Sequence, residues 1–300
     1  MNVPTPTPFQ QLVRKLRQVE IRMLKAVDAQ LQGNFHSVFK GTGLEFDDVR
    51  LYQYGDEVRA IDWAVSSKGH GTFIKTYKEE REQQVLLLFD VSASQQVGAE
   101  GRRKLDIGRE ICGILALAAA RQDAQLGILA FSDQKELYLA PGKGVRHAYA
   151  LIKRLFELAP KSRQTGVAAG IKQALGLLKR RSIILLISDF IDTGYERELT
   201  MLARKHDLVV IQLLDQRERE FPPLGIVPLY DQESGRTLWT NTSSASFRAR
   251  YRAIYEQNRA QIGQICRRHR TEYLSIATDA DYVPQLIRLF RRRNLRAGRG

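Results

Sequence analysis

From Val85 onward, short apolar runs alternate with longer segments whose apolar residues recur every three or four positions. The runs are Val85–Phe89, Leu126–Phe131, Ile183–Ile187 and Leu208–Leu214, with shorter ones at Leu137–Leu139 and Tyr273–Ile276. A wholly apolar run of this length, bounded by polar residues, predicts a strand buried on both faces, as in a parallel sheet. The intervening segments predict helices. Ile107, Ile111, Ile114, Leu115 and Ala118 mark one face of residues 103–121, and Leu151, Ile152, Leu155 and Leu158 one face of 145–158. Further helices are expected from Gly166 to about Arg181, over 196–205, over 246–268 and over 281–293. A loop through Pro222-Pro223 and a short strand pair around Val227 and 237–240 interrupt the alternation. Strands alternating with helices predict an α/β fold: a doubly wound, mainly parallel sheet with helices on both faces. Val85–Phe89 and Ile183–Ile187 should be central and adjacent.

The earlier residues follow other periods. Leu12, Leu16, Val19, Met23, Val27 and Leu31 lie on one face of a helix over 9–32, stopped by Gly33. Residues 35–84 are rich in glycine and aromatics and predict a small β-containing unit. Gly41-Thr-Gly43 follows no buried strand and precedes no Gly-Lys-Ser/Thr, so it is no phosphate loop; a tight turn is expected there. Short strands or turns are expected at 49–54 and 58–63, a strand at 73–77, and a solvated charged link at 78–82. Trp63 should be buried and anchor the unit. The expected organisation is therefore 1–84 as helix and accessory β-containing segment, 85–293 as the main domain, and 294–300 as a disordered basic tail.

Polar residues gather where the apolar strands end. Asp90, Ser92 and Ser94 follow the first run at alternate positions, and Ser188-Asp189 follows Ile183–Ile187. Thr165 lies in a loop before a helix. In open α/β sheets, ligands bind outside the carboxyl ends of the strands. Five oxygen-bearing side chains converging there would suit a hard cation, magnesium or manganese, and not zinc. The same residues would also serve as a helix cap or turn.

The order Asp90-x-Ser92-x-Ser94, then Thr165, then Asp189 resembles the metal-ion-dependent adhesion site of von Willebrand factor A domains, over about 85–293. A second set of residues narrows this. Gly41-x-Gly43-x-Glu45-Phe46, Arg50-x-Tyr52-x-x-Gly55-Asp56-x-x-Arg59-x-Ile61-Asp62-Trp63, Lys75 and Glu79-Glu80 lead into Asp90–Ser94. This pattern resembles the bacterial family called domain of unknown function 58, along nearly the whole chain. The resemblance implies a von Willebrand factor A-like fold and a magnesium or manganese ion at Asp90, Ser92, Ser94, Thr165 and Asp189. In such sites the hydroxyls ligate directly and the aspartates act largely through water. It also implies an adaptor or co-chaperone role beside a MoxR-type AAA+ ATPase, and a non-enzymatic one. Members often carry membrane helices near the amino terminus; no apolar stretch of this chain is long enough to span a bilayer.

Charge and composition widen the field slightly. A net charge of +14 admits nucleic acid, an anionic surface or an acidic protein as partner. The basic residues are dispersed, with clusters at 179–181, 267–270 and 291–293, and no zinc-finger or RNA-binding motif accompanies them. Met1–Pro8 has no secretory pattern, and a cytoplasmic location is expected. Cys112 and Cys266 lack metal-ligand spacing; Cys112 should be core packing. Five scattered histidines offer no catalytic arrangement. Two alternatives remain open: a phosphatase-like hydrolase using Asp90 as nucleophile, and a nucleic-acid-binding protein using the basic surface.

Overall fold

The computed structural model describes residues 8–28, 40–69, 71–82, 84–230 and 236–297. Helix α1 (Pro8–Asp28) comes first, then β1 (Lys40–Leu51), the short α2 (Trp63–Ser66) and β2 (Phe73–Glu82). The next elements are β3 (Gln84–Asp90), the two-residue strands β4 (Gly98–Ala99) and β5 (Arg102–Arg103), and α3 (Lys104–Arg121). After them come β6 (Gln125–Phe131), β7 (Lys135–Gly142), α4 (Gly144–Phe156), α5 (Val167–Leu177), β8 (Ile183–Ser188) and α6 (Glu196–Lys205). The chain continues through β9 (Asp207–Leu214), α7 (Gln216–Arg219), β10 (Ile226–Tyr230), β11 (Thr237–Asn241), α8 (Ala245–Arg268), β12 (Glu272–Ala277) and α9 (Val283–Ala297).

Six strands form the central sheet in the order β12-β9-β8-β3-β6-β7. All pairs are parallel except β6–β7, which puts the antiparallel strand at one edge. By order of appearance within the sheet this is the doubly wound arrangement 3-2-1-4-5-6, whose direction of winding reverses between β3 and β8. Those two strands are the expected central neighbours, paired from Val85↔Ile183 to Phe89↔Ile187. Their composition follows from the two-sided burial. Leu87 packs on the face covered by α3, α4 and α9, and Leu88 on the face covered by α5, α6 and α8; both are fully buried. A strand covered on both faces has no polar side, and each buried leucine contributes about 2 kcal/mol. Cys112, as expected, is buried packing. Among the described residues no helix is long and apolar enough to cross a membrane.

The amino-terminal region differs from its sequence reading in several places. Trp63 is 68% exposed, not buried as expected. It starts α2, where the Asp62 carboxylate accepts the Ala64 and Val65 amides (3.0 and 3.2 Å), so local capping sets its position and not apolar burial. Of the strand or turn expected at 58–63, the turn is found: a 3-10 turn over Val58–Ala60 and then the start of α2. Gly41–Gly43 lies inside β1, with a register shift between Gly41 and Leu44, rather than in a tight turn. The charged 78–82 stretch is not a link: it continues β2, paired with β1 as far as Lys40↔Glu82. Helix α5 ends at Leu177, because Leu178 turns extended before the 179–181 basic cluster. Helix α9 runs on to Ala297, through part of the expected tail. The expected helix over residues 29–32 and its Gly33 stop lie outside the described residues.

One buried side chain makes the fold acid-sensitive. His206 is 1% exposed, accepts the Ser182 amide at Nδ1 (3.3 Å), and leaves Nε2 without a partner among the described residues. Burial, then the Lys205 and Arg181 charges, lower its pKa to about 4. The unfolded chain takes up a proton near pH 6.5 while the folded one refuses it until about pH 4. The histidine's contribution is therefore present above about 6.5 and lost as pH falls toward 4, on the order of 2–3 kcal/mol. His206→Asn keeps an acceptor for Ser182 and removes the titration. Urea midpoints at pH 7 and pH 5 should fall clearly less in the variant than in the wild type; equal falls would refute this role.

Candidate functional site

The site lies over the reversal point of the sheet. Asp90 ends β3, and the chain then turns because the Ser92 amide bonds back to Asp90 Oδ1 (2.9 Å). Ser92 leads into a 3-10 turn over Ala93–Gln96, and its hydroxyl lies 3.1 Å from that of Ser94. Asp90 Oδ2 accepts the Ser188 hydroxyl (2.7 Å) from the end of β8 and the Gln95 side-chain amide (3.3 Å). Asp90 and Ser92 are fully buried and Ser94 is half-buried.

Asp189, the residue after β8, is 1% exposed. Its Oδ1 accepts the Ile191 amide (3.1 Å), and its Oδ2 accepts the Lys104 ammonium. Lys104 opens α3, is fully buried, and donates also to Glu218 of α7. Gln212 of β9 holds the Asp189 carbonyl (3.1 Å). The ends of β3, β8 and β9 are thereby cross-linked by polar contacts under the site.

The loop carrying Thr165 is fixed against the same turn. The Arg163 carbonyl accepts the Ala93 amide (3.0 Å), and the Val167 amide donates to Asp192 Oδ2 (2.8 Å). Between them, Gly166 passes so close to the strand end after β6 that a Cβ there would sit 2.7 Å from Asp133 Cα; only glycine fits. Thr165 itself is half-buried. The structure thus brings Asp90, Ser92, Ser94 and Asp189 to one edge and lays the Thr165 loop beside them.

Electrostatics mark the same place. Burial, then the Asp189 charge, push Asp90 up to about 7 against the hydrogen bonds from Ser92 and Ser188. Burial also lifts Glu218 to about 7, and Asp189 adds to the repulsion while Lys104 opposes it. Burial alone would depress Lys104, but Asp189 and Glu218 outweigh it and hold the ammonium charged. Two carboxyl groups, Asp189 and Glu218, therefore share one lysine, with the Asp90 carboxyl close enough to feel the Asp189 charge. A divalent cation would relieve this excess, and the donors on offer, carboxylate and hydroxyl oxygens, suit magnesium or manganese. Gln95 Oε1, in the buried side chain that donates to Asp90, has no partner among the described residues. Among the described residues no three His, Cys, Asp or Glu side chains form a metal cluster.

Sequence reasoning missed Lys104, Glu218, Gln95 and the bond from Ser188. One signal was available. A lysine in the first turn of a helix opposes the helix dipole, so Lys104 is misplaced unless a carboxylate waits for it. Its partners are 85 and 114 residues away, which no local pattern reveals.

Comparison with known proteins bears out the family resemblance. Residues 48–261 match the profile of a family described as "Protein of unknown function DUF58". An uncharacterised protein of Mycobacterium tuberculosis is 27% identical over 292 residues, 96% of this chain and 92% of that one. An uncharacterised protein of Mycobacterium avium is 30% identical over 166 residues, 53% of this chain and 97% of that one. Among solved structures, an aerotolerance-related membrane protein from Bacteroides fragilis aligns over 71% of this chain and 99% of its own, with TM-score 0.49 and 13% identity. BatB from Bacteroides thetaiotaomicron aligns over 73% of this chain and 100% of its own, with TM-score 0.47 and 12% identity.

Proposed function

Because this chain belongs to the DUF58 family, whose description assigns no function, we propose a role from the site itself: a non-enzymatic, metal-dependent protein-interaction module. One magnesium or manganese ion is held at Asp90, Ser92, Ser94, Thr165 and Asp189. The observation that carries this reading is the meeting of Asp90 and Asp189 at the reversal point of the sheet, with two serine hydroxyls 3.1 Å apart and more carboxyl groups than Lys104 neutralises. The hydroxyls of Ser92, Ser94 and Thr165 hold the ion, and the two aspartates supply charge, largely through water. Such an ion keeps part of its positive charge, so a carboxylate from a partner completes its shell favourably. Catalysis is disfavoured by the state of Asp90. Both its oxygens already accept hydrogen bonds, which makes it a poor nucleophile. The described histidines are engaged elsewhere: His147 with Leu126, His206 with Ser182 and His269 with Thr200.

The partner we assign is a MoxR-type AAA+ ATPase offering an acidic residue. Family resemblance and the net charge of +14, which speeds encounter with an acidic surface, support it. Purified chain and ATPase mixed in magnesium, in chelator, and with folded Ser92→Ala/Ser94→Ala protein test the reading. Co-elution should occur only in the first mixture. Equal association in all three would refute the metal bridge, and association in none would refute the partner.

A further inference from the structure

Between β9 and β12 the chain leaves the sheet to form an arm: α7, the Pro222-Pro223 loop, the β10–β11 ribbon and the first half of α8. No residue of α8 before Ile262 is buried. The arm is held together by its own aromatic cluster, in which Phe221 meets Phe247 and Tyr251 edge-on at 5.8 and 5.6 Å. Between α7 and α8 runs an open groove of about 960 Å³. Ala245, Ala249 and Ala253, one turn apart, leave its floor free of bulk, and Arg217, Arg219, Arg248 and Arg252 surround it. Glu220 pairs with Arg252 (3.0 Å) and Glu256 with Arg219 (3.7 Å), while Arg217 donates to the Gly98 carbonyl (2.6 Å). The Arg248 side chain has no partner among the described residues, so the groove keeps a positive excess.

The adjoining ribbon exposes apolar surface. Its register puts Ile226, Pro228, Tyr230 and Trp239 on one face, since Pro228 pairs with Trp239 and Tyr230 with Thr237. Ile226 is 69%, Tyr230 56% and Trp239 73% exposed. The base of this ribbon, closed by the Thr242 amide on the Gly225 carbonyl (2.8 Å), lies between Pro223 and Ala245, which both line the groove. An arginine-rimmed groove joined to an exposed apolar face is the surface of an interaction site.

We propose that this arm docks an acidic segment of a partner protein that also carries aromatic or large aliphatic side chains. Its carboxylates meet the arginines of the groove, with Arg248 as the free contact, and its apolar side chains cover the Trp239 face. A nucleic acid fits less well. Its bases can stack on Trp239 but leave the aliphatic Ile226 uncovered, and Glu220 and Glu256 inside the groove repel its phosphates. The docking needs no metal.

The chain has two tryptophans, and Trp63→Phe leaves Trp239 as the single reporter. The probe is a synthetic peptide of about a dozen residues alternating Glu with Leu and Phe, added to the full chain in chelator. Controls are the same peptide with Lys for Glu, an oligoglutamate, and a single-stranded oligonucleotide. The Glu/Leu/Phe peptide should shift Trp239 emission to the blue saturably, and the Lys peptide and oligoglutamate should bind at least about tenfold more weakly. Arg248→Glu/Arg252→Glu should weaken the peptide at least about tenfold. Arg248→Ala/Arg252→Ala gives the same reading if charge reversal disturbs α8 in circular dichroism. No shift with the peptide, undiminished binding by both double variants, or tighter binding of the oligonucleotide would overturn the proposal. Since chelator is present throughout, failure here leaves the metal reading standing, and loss of the metal reading leaves this one standing.

Discussion

Replacing Lys104 with methionine should destabilise the protein by about 3–5 kcal/mol, the usual cost of removing one partner from a buried ion pair. Lys104 is fully buried and donates to both Asp189 and Glu218. Methionine fills much of the same volume, so the loss is electrostatic. Asp189 and Glu218 are left facing each other near Asp90 without a cation, although Glu218, lifted to about 7, can relieve part of the strain by taking a proton. Two controls separate this from a packing defect. The triple change Lys104→Met/Asp189→Asn/Glu218→Gln should recover most of the loss, because no uncompensated charge remains. Magnesium should also stabilise Lys104→Met protein more than wild type, since the ion replaces the missing positive charge. Urea unfolding with and without magnesium measures all three. A loss below about 1 kcal/mol for Lys104→Met would mean that the buried lysine is not what balances these acids.

How much of this was legible in the chain depends on the distance over which each feature is determined. Val85–Phe89 and Ile183–Ile187 could be placed at the sheet centre because two-sided burial leaves a purely apolar string, which is a local signature. The strand-end residues Asp90 and Asp189 were legible for the same reason, since a polar step after such a string stands out. Lys104 and Glu218 were not, because their partnership exists only once α3, β8 and α7 are folded together. Trp63 misled because aromatic size predicts burial only where a second layer is available, and at this position the Asp62 cap controls the backbone. The strand at 78–82 was not legible because a run of charges lacks the apolar alternation that marks a strand, while its backbone pairs with β1 all the same. The ribbon and α8 of the arm were legible, but its groove was not, because nothing in Arg217, Arg219, Arg248 and Arg252 as a list places them around one groove.

The most direct test of the account is calorimetric titration of metal-free protein with magnesium and manganese. Wild type should bind one ion. Asp90→Asn, which keeps the shape and the acceptor oxygen, should weaken it by about 10- to 100-fold. The pH dependence carries a sign of its own. Burial and Asp189 hold Asp90 protonated up to about pH 7, and a metal must displace that proton. Affinity should therefore fall as pH drops below 7, by up to about tenfold per unit, with proton release on binding. No binding by wild type, or binding that Asp90→Asn leaves unchanged, would contradict the metal site.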